Sequence, residues 1–386
     1  NETEKLLRSA FEYRMVADVP VGVFLSGGYD SSLVTALLQT NMQHKLKTFT
    51  IGFEEEEFNE AVYARKVAQH LGTDHHEYTC TYKEAMEIIP SLPEMYDEPF
   101  ADSSAIPTYL VSKMARQQVT VALSADGGDE TFAGYTKYEK GLRYLEKLNS
   151  IPGLAKRMAM LPVKIADVFT TANLARPDRI EKLLLLLESK HPVEAFNIIT
   201  QAMTGGEVYH LLAKDFKIPP TSFEQYQALH ASETLDNFLW LDYKTYMVDD
   251  ILQKVDRATM AVSLEGREPL IDHRIIEWVA QLPAEYKLKN GVSKLPVRDI
   301  VHKYIPREIM ERPKMGFNIP YESWFRKEMK ASLTETLSEA NLNKHKIFHV
   351  KKKKKMINRF LSDNRVDFQR IWAIYNFQLW WTKWMD

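Results

Sequence analysis

The sequence predicts an α/β fold in which a parallel sheet with helices on both faces is followed by a mainly helical C-terminal half. Two observations predict it. Over the first 140 residues, short apolar runs alternate with helical patterns, as is typical of parallel sheets. Beyond that point glycine becomes sparse and the helical period dominates. We therefore predict an α/β core over residues 1–140 and a helical remainder over residues 141–386.

Three apolar runs predict strands, at residues 21–25, 49–53 and 119–123, and the weaker pattern at residues 76–79 suits a further strand. A helical pattern follows the first run. After the second run, Asn59 is the expected cap of a helix that Gly72 ends. Its predicted inward positions are Val62, Val67, Ala68 and Leu71. In the C-terminal half, helical spacing is clearest at Phe368, Ile371, Trp372, Tyr375 and Leu379.

Bulk properties exclude several classes of protein. The formal net charge of the 386 residues is −2, so we expect no nucleic-acid partner and no attraction to an anionic membrane. The longest leucine run, residues 183–187, is too short to span a bilayer. With one cysteine, Cys80, no disulfide can form within the chain, and a cytoplasmic location is expected. The lysine run 351–355 is expected to be a solvated face or a polyanion contact.

The first motif is SGGYDSS, residues 26–32, between a predicted strand and a predicted helix. Glycines let backbone N–H groups approach an anion, and the helix N-terminus adds donors and its dipole. Asp30 is a poor phosphate ligand alone, but it suits Mg²⁺ held against phosphates. No Gly-Lys-Ser/Thr follows, so this is not a Walker loop. The motif resembles the pyrophosphate loop (SGGxDS) of the ATP-pyrophosphatase superfamily, whose members cleave ATP to AMP and pyrophosphate.

The second motif, SADGGDE at residues 124–130, also follows an apolar strand. Ligands of open parallel sheets bind beyond the carboxyl ends of the strands, so the two loops are expected to meet in one crevice. Asp129 would then supply the second carboxylate to Mg²⁺. A third region, KVDRATM at residues 254–260 leading to SLEGREPLID at 263–272, carries dense charge, and a fourth, GVSK at 291–294, holds a loop lysine.

Together, and in this order, the four regions resemble the synthetase domain of the glutamine-hydrolysing asparagine synthetase family, which includes the β-lactam synthetases. The resemblance runs from about Glu4 to about Pro320. The segment DEPFADSS at residues 97–104 is similar to bacterial members of the asparagine synthetase branch. The resemblance implies an ATP-pyrophosphatase (adenine nucleotide alpha hydrolase-like) core with ATP and Mg²⁺ as cofactors.

The resemblance also implies roles for individual residues. Leu25 and Ile51 would hold adenine and ribose, and Ser124 and Asp126 would lie near AMP and the bound amino acid. Glu265 and Arg267 would border the acceptor site, and Lys294 would lie over the phosphates. Pyrophosphate would be bound by Ser26, Gly27, Gly28, Asp30, Ser31 and Ser32. The expected catalytic residues are Lys294, Glu265 and Asp126, and the expected metal ligands are Asp30 and Asp129.

The chain departs from the family pattern at four positions, Ala125, Thr131, Ala133 and the bulky Tyr29. None of them removes a ligand atom. Family members carry an N-terminal glutaminase domain with an N-terminal cysteine nucleophile, whereas this chain begins with Asn1 and Cys80 is expected to be structural. We therefore expect that the chain is a fragment or a processed form and that a glutaminase domain or subunit is a partner.

The implied reaction is ATP-dependent amidation of aspartate to asparagine through a β-aspartyl-AMP intermediate, which releases AMP and pyrophosphate. Three alternatives stay open at this point. They are amidation of another carboxylate (a surface-polysaccharide uronic acid or a natural-product precursor), intramolecular amide closure of the β-lactam synthetase kind, and a non-catalytic nucleotide-binding scaffold. Acceptor specificity depends on pocket shape, which sequence does not give.

Overall fold

A computed structural model describes residues 2–55, 59–153, 155, 158, 178–213, 216–226, 231–311, 321–362 and 368–386. Pro320, where the predicted resemblance ends, lies outside these residues. Within them, five strands form a parallel sheet in the order β3-β2-β1-β4-β5. The strands are β1 (Val21–Phe24), β2 (Lys47–Phe53), β3 (Asp74–Cys80), β4 (Val121–Leu123) and β5 (Glu265–Arg267). The predicted α/β class with a parallel sheet is confirmed.

Helices make up most of the remaining described residues. In chain order they are α1 (Glu2–Met15), α2 (Tyr29–Gln39), α3 (Ala61–Leu71), α4 (Tyr82–Ile88), α5 (Leu92–Tyr96), α6 (Ala105–Arg116), α7 (Gly128–Thr131), α8 (Thr136–Ser150), α9 (Asp178–Glu188), α10 (Pro192–Thr200), α11 (Gly205–Leu211), α12 (Ser222–Gln225), α13 (Thr234–Lys244), α14 (Gln253–Met260), α15 (His273–Ala280), α16 (Ala284–Lys287), α17 (Leu295–Val301), α18 (Arg307–Met310), α19 (Tyr321–Arg326), α20 (Lys330–Thr336), α21 (Glu339–Lys344), α22 (Val350–Ser362) and α23 (Phe368–Trp384). A π-helical turn, Met247–Leu252, precedes α14. Two residue pairs, β6 (Leu288–Lys289) and β7 (Val292–Ser293), form a short hairpin before α17.

The pairing of the strands places the loops after β1, β4 and β5 at one edge of the sheet. β1 pairs with β2 on one side, and with β4 on the other through Val21↔Val121 and Val23↔Leu123. β4 pairs with β5 through Leu123↔Arg267. Because all four strands run in the same direction, the residues that follow β1, β4 and β5 emerge at the same carboxyl edge.

The predicted helix after β2 is present as α3, and Gly72 ends it in the left-handed conformation, with φ of 72°. Asn59 accepts a hydrogen bond from the N–H of Ala61, the first residue of the helix, at 3.1 Å. Val67 and Ala68 are buried as predicted, but Val62 is 41% exposed. That prediction was wrong because the inward stripe starts at Ala61, about 100° around the helix from its neighbour.

Contacts between residues group the chain into two compact units. Unit 1 comprises residues 1–134, 246–337 and 371–386, and unit 2 comprises 135–245 and 338–370. The predicted boundary at residue 140 lies near the first crossing, between Gly134 and Tyr135. All five strands belong to unit 1, whose core packs α1 and α2 against the sheet through Leu7, Phe11, Val23, Leu33 and Leu37.

Unit 2 is helical in its described residues. Its interior stacks Tyr138, Phe196 and Phe238, with ring centroids of the last two 4.2 Å apart. The Tyr138 hydroxyl donates to the buried carboxylate of Asp242, at 2.5 Å. Among the helices described in either unit, none is long and apolar enough to cross a membrane.

Candidate active site

The loop after β1 is held in shape by its own serines. The hydroxyl oxygens of Ser26 and Ser31 lie 3.0 Å apart, and the backbone N–H of Gly28 donates to Ser26 Oγ at 3.3 Å. Gly27 has φ of 75°, and a Cβ there would lie 2.7 Å from the backbone nitrogen of Ala64. Only glycine fits at residue 27, because both the conformation and the space exclude a side chain.

This loop ends at the N-terminus of α2 with donors available to a ligand. Gly28 occupies the N-cap position and supplies no side-chain cap to the first turn. The side chain of Ser32 is buried, and its Oγ has no hydrogen-bond partner among the described residues. Unsatisfied buried hydroxyls are rare in proteins. A helix N-terminus with an unsatisfied hydroxyl beside it suits the oxygens of a phosphate group.

The loop after β4 lies directly against the first loop. A Cβ on Gly128 would lie 2.8 Å from Cγ of Asp30, and a Cβ on Gly127 would lie 2.2 Å from Cγ2 of Ile271. Gly127 also has φ of 82°. Gly128 therefore lets the two loops approach each other, and the loops meet in one place, as the sequence predicted.

A lysine from a third segment joins the two loops. Nζ of Lys294 forms an ion pair with Asp129 Oδ1 at 2.6 Å and a second, shorter one with Asp30 Oδ2. Lys294 is 6% exposed, and its backbone N–H donates to the carbonyl of Phe132 at 3.2 Å. A Cβ on Gly134 would lie 1.9 Å from both Asp129 Oδ1 and Lys294 Cε. Gly134 therefore leaves the space in which the lysine and the aspartate meet.

The charge of Lys294 is fixed by this arrangement. Burial disfavours the charged amine, but the carboxylates of Asp129 and Asp30 outweigh it and hold the pKa of Lys294 above its ordinary value. The lysine is thus a permanent cation at neutral pH, placed where the loops after β1 and β4 meet.

Two carboxylates at one point also fit a magnesium ion. Mg²⁺ is usually bound by one or two carboxylates together with phosphate oxygens and water. Asp30 and Asp129 offer oxygens of this kind from two different loops. The described residues contain no group of three histidine, cysteine or acidic side chains placed to hold a metal alone. The donor set therefore suits an ion that arrives with a nucleotide.

A second group of charged residues lies around Asp126. Ser124 Oγ donates a short hydrogen bond to the Asp126 carboxylate. Lys254 is buried and pairs with Asp102 at 3.3 Å. Burial, reinforced by the charges of Asp126 and Asp256, raises the pKa of Glu268 to about 7. An acid that titrates near neutrality in an active-site loop is suited to exchange protons with a substrate.

The structure does not bring Glu265 and Arg267 into either group. Arg267 pairs with Glu265 at 2.6 Å and donates to the carbonyls of Arg14 and Val16, at 2.7 and 2.9 Å. Successive residues of a strand point to opposite faces, so residues two positions apart share a face. The two side chains of β5 therefore share the face that meets the end of α1, whereas Glu268 comes after the strand, at its carboxyl end.

Leu25 directly follows β1 as expected, whereas Ile51 lies inside β2, two residues before its end. The two residues are only 1% and 2% exposed. Their contact with adenine and ribose stays a prediction. Cys80 is buried, and burial raises the pKa of its thiol to about 12. A thiol in that state is inert at neutral pH, which agrees with the structural role predicted for it.

Sequence reasoning missed Glu268, Lys254 and Asp102 as members of the site. The last two stand inside motifs that the sequence did single out, KVDRATM and DEPFADSS. Their pairing crosses about 150 residues of chain, so no local pattern reveals it. Glu268 stands inside the third motif, SLEGREPLID, where the resemblance pointed to Glu265 and Arg267 instead. The burial and neighbouring charges that raise its pKa are tertiary and appear in no local pattern.

Comparison with known proteins agrees with the resemblance that the four sequence regions indicated. The sequence profile of the family described as Asparagine synthase matches residues 2–382. The chain belongs to this family. It is 30% identical over 384 residues to asparagine synthetase [glutamine-hydrolyzing] 1 of Bacillus subtilis, a match covering 98% of this chain and 58% of the relative.

Other relatives of the family are more distant or match a shorter segment. A putative asparagine synthetase [glutamine-hydrolyzing] 2 of Methanocaldococcus jannaschii is 37% identical over 271 residues, 67% of this chain and 48% of the relative. The asparagine synthetase [glutamine-hydrolyzing] of Gallus gallus is 28% identical over 83% of this chain and 44% of its own length. The chain thus spans about half the length of the curated relatives that it matches.

Proposed function

We propose that this chain catalyses the ATP-dependent amidation of aspartate to asparagine through a β-aspartyl-AMP intermediate. The observation that carries the proposal is the Lys294 ammonium, buried between Asp30 and Asp129 where the loops after β1 and β4 meet. A non-catalytic scaffold has no need of a buried cation at the phosphate position. Membership of the asparagine synthase family supports the same chemistry.

The first step joins a carboxylate to AMP. An oxygen of the aspartate β-carboxylate attacks the α-phosphorus, and the bond from that phosphorus to the bridging oxygen of pyrophosphate breaks. The loop donors and Ser32 hold the phosphates, and Lys294 offsets the negative charge that grows on the departing pyrophosphate. A bound Mg²⁺, held by Asp30 and Asp129, would supply further charge stabilisation to the phosphate oxygens.

The second step replaces AMP with nitrogen. Ammonia attacks the acyl carbon, the carbon–oxygen bond to AMP breaks, and the nitrogen gives up a proton. Glu268 is suited to accept that proton, because its pKa of about 7 leaves much of it ionised at neutral pH. The Lys254–Asp102 pair beside Asp126 offers charges of both signs to an amino-acid acceptor.

Ammonia comes, in this proposal, from a glutaminase domain or subunit outside these 386 residues. The names of the relatives carry the words glutamine-hydrolyzing, whereas the single cysteine here is buried and protonated. The chain alone should therefore make amide from ammonium and release no glutamate from glutamine.

Pyrophosphate release from ATP, with ammonium and a panel of carboxylates, tests the proposal. The panel contains aspartate, glutamate, a uronic acid and a β-amino acid with a second carboxylate. Aspartate should give the largest rate, and asparagine should accumulate in equal amount. If aspartate stays at background while another acid reacts, the proposed acceptor is wrong. If no acid reacts, the proposed adenylation is wrong as well.

A further inference from the structure

Tyr29, the bulky departure in the first loop, contacts α17 at two successive turns. The guanidinium carbon of Arg298 lies 4.2 Å from the centre of the Tyr29 ring. One turn later, the Tyr29 hydroxyl lies 3.2 Å from Nε2 of His302, whose ring meets the Tyr29 ring edge-on. The first residue of α2, which directly follows the loop after β1, is therefore in contact with the helix that follows Lys294.

Arg298 also holds the turn that carries Lys294. Its Nε donates to the carbonyl of Ser293 at 2.8 Å. Lys294 has φ of 58°, in the left-handed region that residues other than glycine rarely adopt. Such a conformation persists only where surrounding contacts enforce it. The hydrogen bond to Ser293 is one of these contacts, and the bond from the Lys294 N–H to Phe132 is another.

We propose that Arg298 is a positioning residue, stacked on Tyr29, that holds the Lys294 turn in register with the phosphate loop. The inference rests on the proposed function, because it assigns Arg298 a part in adenylation. One guanidinium joins three pieces of the site: the Tyr29 ring, the Ser293 carbonyl and, through that carbonyl, the Lys294 backbone. A planar, permanently charged fork can stack and donate at the same time, which an ammonium cannot do.

The stack also explains the residue at position 29. A smaller side chain in the loop would leave the face of the guanidinium without a partner, and cation–π contacts of this kind favour an aromatic ring. Tyrosine adds a hydroxyl that reaches His302. Position 29 is thus a structural part of the site in this chain, although it supplies no ligand atom.

The test combines local motion with kinetics on the full chain. Tyr29→Leu, Arg298→Met and the double variant are compared with Arg143→Met, a control that removes an exposed arginine of unit 2 paired with Glu139. Hydrogen–deuterium exchange of the segment 288–298 should be faster in the first three and unchanged in the control. Single-turnover pyrophosphate formation should fall by about 10-fold in Tyr29→Leu and in Arg298→Met, with a change in the KM for ATP of less than about 2-fold.

The double variant distinguishes positioning from two separate contributions. If Tyr29 and Arg298 act through one contact, the double variant should be little slower than either single variant. Tyr29→Phe keeps the ring and should lie nearer to the parent than Tyr29→Leu, and Arg298→Lys should restore less than half of the lost rate.

Unchanged exchange at 288–298 would overturn the proposal, whether or not the parent amidates aspartate, because that readout needs no substrate. Faster exchange with an unaltered adenylation rate would also overturn it. Losses that multiply in the double variant would assign the two residues independent roles. If Arg298→Met does not fold, Tyr29→Leu and Tyr29→Phe test the proposal instead. They are compared by hydrogen–deuterium exchange at 288–298 and by single-turnover pyrophosphate formation.

Discussion

Lys294 stands in a left-handed turn, with its amine between two carboxylates that come from different loops. The sequence suggested this lysine only through a resemblance, since a lysine after a glycine turn is usually a solvated loop residue. Its burial and its two ion pairs depend on residues more than 160 positions away, which no local pattern contains. The side chain is a fixed point charge, so its contribution should be greatest where charge develops in the transition state.

Lys294→Ala should therefore slow adenylation by roughly two to three powers of ten while changing ATP affinity less. Lys294→Arg should restore little, because the planar fork is larger than the ammonium that Gly134 makes room for. Single-turnover kinetics with ATP titration measure both quantities. Variants that adenylate at the parent rate would show that Lys294 has no catalytic part.

Glu268 gives a second prediction at this scale, through the pH dependence of stability. An acid whose pKa is raised on folding, here from 4.5 to about 7, binds its proton more tightly in the folded state. The stability that it contributes is present at low pH and is lost as the pH rises through that interval. Relative to Glu268→Gln, the parent should lose on the order of 3 kcal/mol of unfolding free energy between about pH 4 and pH 8.

Urea unfolding of both proteins across this range measures the difference. Glu277→Gln, at an exposed position of α15, is the matched control and should run parallel to the parent. Parallel curves for the parent and Glu268→Gln would contradict the raised pKa.

At the scale of elements, the predictions from sequence succeeded where a strand is an apolar run. β1, β2 and β4 have buried interiors built from such runs, and their existence was predicted. The three residues of β5, Glu265–Arg267, contain no apolar residue. They form a strand because β4 offers a free edge, a tertiary cause that a sequence pattern does not record. Glu265 was assigned through the family resemblance, whereas the acid whose pKa burial raises to about 7 is Glu268, directly after β5.

The lysine run 351–355 shows, within a helix, that a sequence pattern does not reveal which residues the tertiary structure buries. It lies in α22, where Lys351, Lys354 and Lys355 are exposed, as expected of a solvated face. Lys353 is instead 1% exposed, with its amine 3.9 Å from the centre of the Phe348 ring. Burial lowers the pKa of Lys353 well below its ordinary value. No carboxylate in the described part of the chain pairs with it.

Lys353→Met should consequently stabilise the protein at neutral pH, by on the order of 1–3 kcal/mol, because a buried amine is replaced by an apolar side chain of similar length. A lysine with a lowered pKa costs stability at every pH below about 10.5, so the gain should shrink as the pH approaches that value. Thermal or urea unfolding at neutral and alkaline pH measures it. Lys354→Met, on the exposed side of the same helix, should change stability little; equal effects of the two variants would refute the difference in burial.

At the scale of the whole molecule, the chain leaves unit 1 after Gly134, returns at Tyr246, leaves after Leu337 and returns at Ile371. The candidate site is assembled within unit 1 from segments on both sides of the first excursion: the loops after β1 and β4, then α14, the residue after β5 and the Lys294 turn. The proposed reaction requires residues as far apart in the chain as Asp30 and Lys294 to hold fixed positions relative to one another.

The central claim is that a carboxylate oxygen of aspartate attacks the α-phosphorus of ATP, and isotope transfer tests it most directly. Aspartate labelled with ¹⁸O in the β-carboxylate is incubated with the chain, ATP, Mg²⁺ and ammonium, and the AMP formed is analysed by mass spectrometry. The mechanism predicts one ¹⁸O atom in the phosphate of each AMP and one in the amide of asparagine. AMP that carries no label, or ADP and phosphate in place of AMP and pyrophosphate, would contradict it.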